Sequence, residues 1–215
     1  SRNKDKAYTS VKDYVKTSDD SLFNYFMGGK KSEEVMLENN MKREEIAMLK
    51  DGTFLKDKDV PLMQKRWRKY VENSNIQMTV LSFNQNYIDE NIDIKEFQKI
   101  VATDIIPKFL SYSGYVKPKD NLEWIVALHC DRENNYHFHI SWIEKNKCYK
   151  NKNGKLDHRI RLKITDNERN FLKRQVALSI ERKRLYTPTL IKLEDELAEL
   201  KSYFNPKDHN FTLRN

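Results

Sequence analysis

Cysteine is scarce in this chain. Cys130 and Cys148 are the only two in 215 residues. They could pair with each other, but they make neither a disulfide framework nor a zinc-ribbon spacing, so a reducing, cytosolic setting is expected. Glycine and proline number five each, and no repeat or low-complexity tract breaks the sequence. No apolar run is long enough to span a bilayer. The opening Ser1-Arg2-Asn3-Lys4-Asp5-Lys6 has none of the pattern of a targeting segment. Membrane spans, disulfide scaffolds and repeat arrays are thereby set aside. With hydrophobic residues at 38% and charged ones at 33%, the composition fits one polar, soluble domain with a real core, or such a domain with a helical appendage.

Charge is plentiful and unbalanced. Lysine and arginine outnumber the acids 40 to 32, a net charge of +8, which suits a polyanionic partner. Two concentrations stand out. Lys147, Lys150, Lys152, Lys155, Arg159 and Arg161 follow one another with the single acid Asp157 among them, and Lys65, Arg66, Arg68 and Lys69 decorate an expected helix. Both sets are candidate phosphate contacts. The first begins directly after a histidine-rich hairpin, so its charge is expected beside those histidines.

Hydrophobic spacing gives the elements. Residues 3–16 and Leu22 to Met27 read as short helices, and Glu34 to Met48 as a peripheral helix closed by the turn Asp51-Gly52. Pro61 opens a helix reaching about Asn73, with Met63, Trp67, Tyr70 and Val71 inward. Ile76 to Phe83 is a strand. Asp93 and Glu96 form a capping box for a helix lined by Phe97, Val101, Ile105 and Phe109, which Pro107 is expected to end or kink. Trp124 to Cys130 and Tyr136 to Ile143 are strands joined by the polar turn Asp131 to Asn135. Thr165 and Glu168 cap a further helix that Thr187-Pro188 interrupts. Beyond it Leu190, Leu193, Leu197, Leu200 and Phe204 form a stripe expected to dock on the domain, with a partner helix as the alternative. The fold class is α+β: an antiparallel sheet with a His-rich hairpin, helices packed on one face, and a C-terminal helical extension. Residues 1–164 form the main domain and 165–215 the helical segment.

Five histidines exist, and three of them crowd this hairpin. Alternation along a strand puts His137, His139 and Ser141 on one face and Tyr136, Phe138, Ile140 and Trp142 on the other. His129 joins the first set from the partner strand. Three neutral imidazoles converging from adjacent strands leave open positions on a divalent cation, the arrangement that catalysis by a metal requires. Asp131 can orient a liganding imidazole from behind, or serve only as a turn residue. Beside a basic groove such a cation makes a phosphodiester electrophilic. The nucleophile is then water or one of eleven tyrosines.

His129-x-Asp131 followed by His137-Phe138-His139 resembles the third motif of the HUH-type DNA relaxases of mobilisable and conjugative plasmids. Upstream, Tyr8-x-x-Val11-x-x-Tyr14-Val15 resembles the tyrosine-rich opening of the MobL-type relaxases of Gram-positive bacteria. Tyr25-Phe26-Met27-Gly28-Gly29, Asp51-Gly52-Thr53-Phe54 and Val80-Leu81-Ser82-Phe83-Asn84 resemble later blocks in the same order. The resemblance covers residues 6–143. It implies an HUH-endonuclease-like domain whose first strand is expected to be missing ahead of Tyr8. The implied activity is a metal-dependent transesterase that nicks one strand at a plasmid transfer origin and stays joined to the 5′ end through a phosphotyrosine. By position, His129, His137 and His139 hold the metal and Asp131 supports it. Tyr14 is the nucleophile and Tyr8 the reserve; Tyr14 lies in a Tyr-Val-x-Thr context that matches the family's Tyr-Ile-x-Arg except at Thr17. Manganese or magnesium is the expected ion, with zinc, nickel or cobalt as alternatives. The implied partners are single-stranded and duplex DNA at the origin, accessory relaxosome proteins and a secretion coupling protein, in a bacterial cytoplasm.

Two rival readings keep the histidines. A rolling-circle replication initiator places its nucleophile downstream, at Tyr149 or Tyr186 here. A non-catalytic basic DNA-binding protein uses the histidines only structurally.

Overall fold

The structure is a computed structural model that describes Phe23 and residues 42–82, 93–130, 136–160 and 163–203. The expected helices before residue 30 lie outside those residues, apart from the helical Phe23. Where Glu34 to Met48 is described, it is not the peripheral helix expected. Arg43–Glu45 is a 3-10 turn and Ala47–Leu49 is strand β1, with Ile46, Ala47 and Met48 all buried. Pairing overrides helix propensity here. β1 lies antiparallel to β3 (Leu122–Cys130), Ala47 opposite Ala127, so each of its side chains has a core to enter. The Asp51-Gly52 turn does form. The Asp51 carboxylate accepts from the Thr53 amide at 3.0 Å and its hydroxyl at 2.6 Å, and Gly52 takes the positive φ of 82° that the reversal needs.

Helix α1 runs over Val60–Val71 with Pro61 in its first turn. Met63, Trp67 and Val71, four residues apart, are its buried face, and Tyr70 is half-buried. Strand β2 is Gln77–Ser82. The Asp93 side chain then accepts from the amides of Lys95 at 2.7 Å and Glu96 at 3.0 Å to start α2, Ile94–Ile100. α2 runs into a π-helical turn, Val101–Ile105, and then α3, Ile106–Tyr112. Pro107 does not end the helix, because it falls in the first turn of α3, directly after that π-turn. The wider spacing of the π-turn relaxes the contact between the proline ring and the preceding turn. A short α4, Pro118–Asn121, leads into β3, and β4 is Tyr136–Glu144. A small hairpin of β5, Tyr149–Lys150, and β6, Leu156–Asp157, follows.

The main sheet has the order β1-β3-β4-β2, antiparallel throughout. Helices cover both of its faces, where one had been expected. Strands β3 and β4 are buried on both sides, one apolar apart from Glu144 and the other apolar apart from the histidines, Ser141 and Glu123, so each side has to be taken out of water. Trp124, Val126, Leu128, Phe138, Ile140 and Trp142 meet Phe97, Ile105 and Phe109 on one face. Ile125, Ala127 and Ile143 meet Met63, Trp67 and Val71 of α1 on the other, with Phe23 edge-on to Trp67 at 5.4 Å. Every indole finds an acceptor: Trp124 donates to the Ala102 carbonyl at 2.9 Å, Trp142 to the Tyr115 hydroxyl at 3.2 Å and Trp67 to Glu123 at 3.0 Å.

Helix α5, Asp166–Tyr203, begins with the expected capping box. Glu168 accepts from the Thr165 amide at 2.7 Å and the Thr165 hydroxyl accepts from the Glu168 amide at 3.2 Å. The helix does not break at Thr187-Pro188. A proline removes one hydrogen bond, and the lysine, arginine, leucine and glutamate around it are good helix formers. Leu172 and Ile180 enter the core and Phe171 stacks on Tyr112 at 4.1 Å. Farther along, Leu193 and Leu197 are 54% and 52% exposed.

At the end of β4 away from its histidines a polar knot is closed. Glu144, 1% exposed, accepts from the Arg159 amide at 2.8 Å and lies 3.2 Å from His158 Nδ1. Cys148 is a free, buried thiol, not a disulfide partner, and burial pushes it up to about 12. Arg159 turns inward, 3.3 Å from Glu168 and 5.0 Å above the Tyr149 ring. Burial also holds the Glu144 carboxyl above its ordinary value of 4.5, against the bonds from Arg159 and His158. Its folded value therefore exceeds its unfolded one, so its contribution to stability is complete below the unfolded value and is lost as pH rises through the folded value. In urea denaturation at stepped pH, the stability of the native chain relative to Glu144→Gln falls as pH rises from about 4.5. A difference that stays flat across that range rules this out. Arg159→Met leaves Glu168 buried without its cation, and is expected to cost about 3–5 kcal/mol in the same measurement.

Candidate metal centre

The histidines converge because of register. His129 of β3 stands directly opposite His137 of β4, and Ala127 opposite His139, so all three imidazoles leave the sheet on the side that α1 covers farther along. Ring centroids are 4.5 Å apart for His129 and His139, 4.8 Å for His137 and His139 and 5.9 Å for His129 and His137. The diagonal pair is the closest, as the twist of an antiparallel pair permits. One donor nitrogen from each ring lies within 4.8 Å of the others. Nitrogens sharing a tetrahedral ion at about 2.1 Å sit about 3.4 Å apart, so modest side-chain rotations close the set on a cation. The three residues are 6%, 6% and 8% exposed. A cation there sits in a region of low dielectric, where its pull on an anionic ligand is strong. Among the described residues no other cluster of histidine, cysteine and carboxylate has this geometry.

The third neighbour is β2, which pairs with β4 so that Ser82 lies opposite His137 and Val80 opposite His139. Both β2 residues are exposed on the histidine side and flank the site. The sequence marks this strand but carries no sign of which strand it joins, so these two positions could not be read in advance. Glu144 and His158 are likewise invisible in sequence, being 14 residues apart and joined only by the fold.

The expected site residues divide clearly. His129, His137 and His139 are brought together. Tyr8, Tyr14, Asp131 and Arg161 lie outside the described residues, as do the Tyr25 to Gly29 block and Phe83-Asn84. Lys65, Arg66, Arg68 and Lys69 are exposed on α1, the helix on the histidine side of the sheet, with Arg66 3.6 Å from Glu123. Lys147, Lys150, Lys152 and Lys155 are exposed too, with Lys147 3.4 Å from Asp157, but they are not beside the histidines. They follow the far end of β4, and eight residues of strand from His137 to Lys145 cover roughly 25 Å. Sequence proximity misled because an extended chain carries its ends apart. Arg159, paired with Glu168 and 8% exposed, is withdrawn from phosphate contact. Tyr149 packs with Tyr115 at 5.5 Å in the core on the opposite face from the histidines.

Comparison with family models, with curated proteins and with solved structures found no match. No helix among the described residues is long and apolar enough to cross a membrane.

Three imidazoles from interior strands predict one divalent ion per chain. Titration calorimetry with manganese or zinc should give unit stoichiometry for the native protein. His137→Ala should weaken binding at least about 10-fold, whereas Lys152→Ala should leave it unchanged. Equal affinity in native protein and His137→Ala excludes the centre.

Proposed function

We propose that the chain is a metal-dependent DNA strand transferase of the relaxase type, which nicks one strand at a plasmid transfer origin and later reseals it, initiating conjugative transfer or mobilisation. The convergence of His129, His137 and His139 to within 4.8 Å carries this reading. Those imidazoles hold a divalent ion, and the bound ion supplies neutralisation of a non-bridging phosphate oxygen. Imidazole donors suit manganese, cobalt, nickel or zinc better than magnesium, whose preference is for oxygen. Asp131, two residues past His129 in sequence, takes the supporting role that the resemblance implies.

The Tyr14 hydroxyl oxygen attacks phosphorus. Its bond to phosphorus forms as the bond from phosphorus to the 3′ oxygen breaks, the phenol proton passes to solvent, and the departing 3′ oxygen takes up a proton. Attack by the 3′ hydroxyl on the phosphotyrosine reverses these changes and restores the strand. Tyr8 is the reserve nucleophile. Phe23 supports the assignment, since it docks against Trp67 in the cluster on the histidine side of the sheet. The residues between it and Tyr14 reach at most about 30 Å when extended. The exposed cations of α1 lie on that same side and meet the DNA phosphates. Placement of Tyr149 in the opposite core counts against an initiator that uses it. The partners are single-stranded and duplex origin DNA, with relaxosome proteins and a secretion coupling protein, in a bacterial cytoplasm.

Incubation with manganese and a pool of single-stranded oligonucleotides tests this directly. A denaturation-resistant protein–DNA adduct should form, vanish in Tyr14→Phe and in His137→Ala, and persist in Tyr149→Phe. An adduct that survives loss of both Tyr14 and Tyr8, or that forms without metal, overturns the reading. DNA affinity should fall steeply with salt, and replacing Lys65 and Lys69 by alanine should lower the logarithmic slope by about 2. An unchanged slope removes α1 from the interface.

A further inference from the structure

We propose that the distal half of α5 binds the same segment of a second copy as a short parallel coiled coil. Leu190, Leu193, Leu197 and Leu200 are spaced three, four and three residues apart, which is the a-and-d repeat of two helices wound about each other. Asp166–Tyr203 is a single helix, so the repeat runs unbroken along one rod. That rod is anchored to the domain by Phe171, Leu172, Val176 and Ile180, all in its first half. Leu193 and Leu197, well over a heptad closer to its end, are 54% and 52% exposed. Surface leucines are ordinary when scattered, but two successive seam positions left open on a helix past its anchor mark a face awaiting a partner.

Charge selects both occupant and orientation. With the leucines at a and d, Glu194 and Lys201 occupy e positions and Glu196 a g position. In a parallel pair each g residue faces the e residue five positions on in the other helix, so Glu196 meets Lys201 of the second copy, twice by symmetry. An antiparallel pair sets Glu196 against Glu196 and Glu194 against Glu194. The segment is therefore complementary to itself in one direction only. In the same repeat Pro188 takes an f position, outside the a and d seam, and Lys183 at the preceding a position ends the seam on that side. Two heptads give a weak dimer, since short helices associate marginally even when preformed.

Sedimentation velocity of the full chain over a concentration series, without metal or DNA, tests this independently of strand transfer. The expected result is a shift from monomer to dimer as concentration rises. Leu193→Glu combined with Leu197→Glu should remain monomeric, with circular dichroism and one-to-one metal binding confirming that the domain is folded. Glu196→Lys should weaken the dimer several-fold, and adding Lys201→Glu should restore it. A native chain that is monomeric at every concentration, a dimer indifferent to the double leucine change, or a charge swap that fails to restore association overturns the proposal.

Discussion

The pairing of His129 with His137 across β3 and β4 is the constraint on which the rest of the structure depends. Side chains alternate along a strand, so a slip of one residue would carry His137 and His139 to the opposite face while His129 stayed behind. Register is held by large groups that fit only one way. Trp124 stands opposite Trp142, and each indole is tied to a different acceptor beyond the sheet. Gln98 adds a clamp, donating at 2.7 Å and 2.8 Å to the carbonyls of Ile46 and Val126. A one-residue slip would carry Phe138, Ile140 and Trp142 out of the apolar cluster they fill and drive His137 and His139 into it.

The two ends of β4 are chemically opposite. At one end three bases stand together with their donor atoms turned to a common point. At the other, the Glu144 carboxylate is enclosed by the Arg159 amide, His158 and Cys148, and is itself only 1% exposed. Lysines beyond that knot decorate a small hairpin whose turn is set by Asn151 and by Gly154 at a φ of 76°. Shape thus separates a compact site from a diffuse basic surface, although the sequence runs from one into the other in a few residues.

Much of this was legible in the residues. Period-two alternation through Tyr136-His137-Phe138-His139-Ile140 gave the hairpin and its histidine face, and capping boxes at Asp93 and Thr165 marked two helix starts. Patterns failed where a distant partner decided the outcome. Ala47 to Leu49 has the composition of a helix and becomes a strand because β3 offers it an edge. Pro107 and Pro188 look like stops, yet a π-turn accommodates one and strong neighbours carry the helix through the other. Arg159 looks like a surface cation, and only the fold places Glu168 within 3.3 Å of it. Charge read along a chain says little about which cations face solvent.

The order β1-β3-β4-β2 has a dynamic consequence. All three histidines belong to the two inner strands, each held by hydrogen bonds along both edges. β1 is also bonded on its outer side, Leu49 donating to the Thr53 carbonyl and Leu55 to that of Ala47, whereas β2 pairs with β4 alone among the described strands. Transient opening starts at such margins. Amide protons of β2 should therefore exchange with solvent well before those of β3 and β4. The imidazole cluster keeps its shape through these excursions, and only cooperative unfolding of the whole sheet dismantles it.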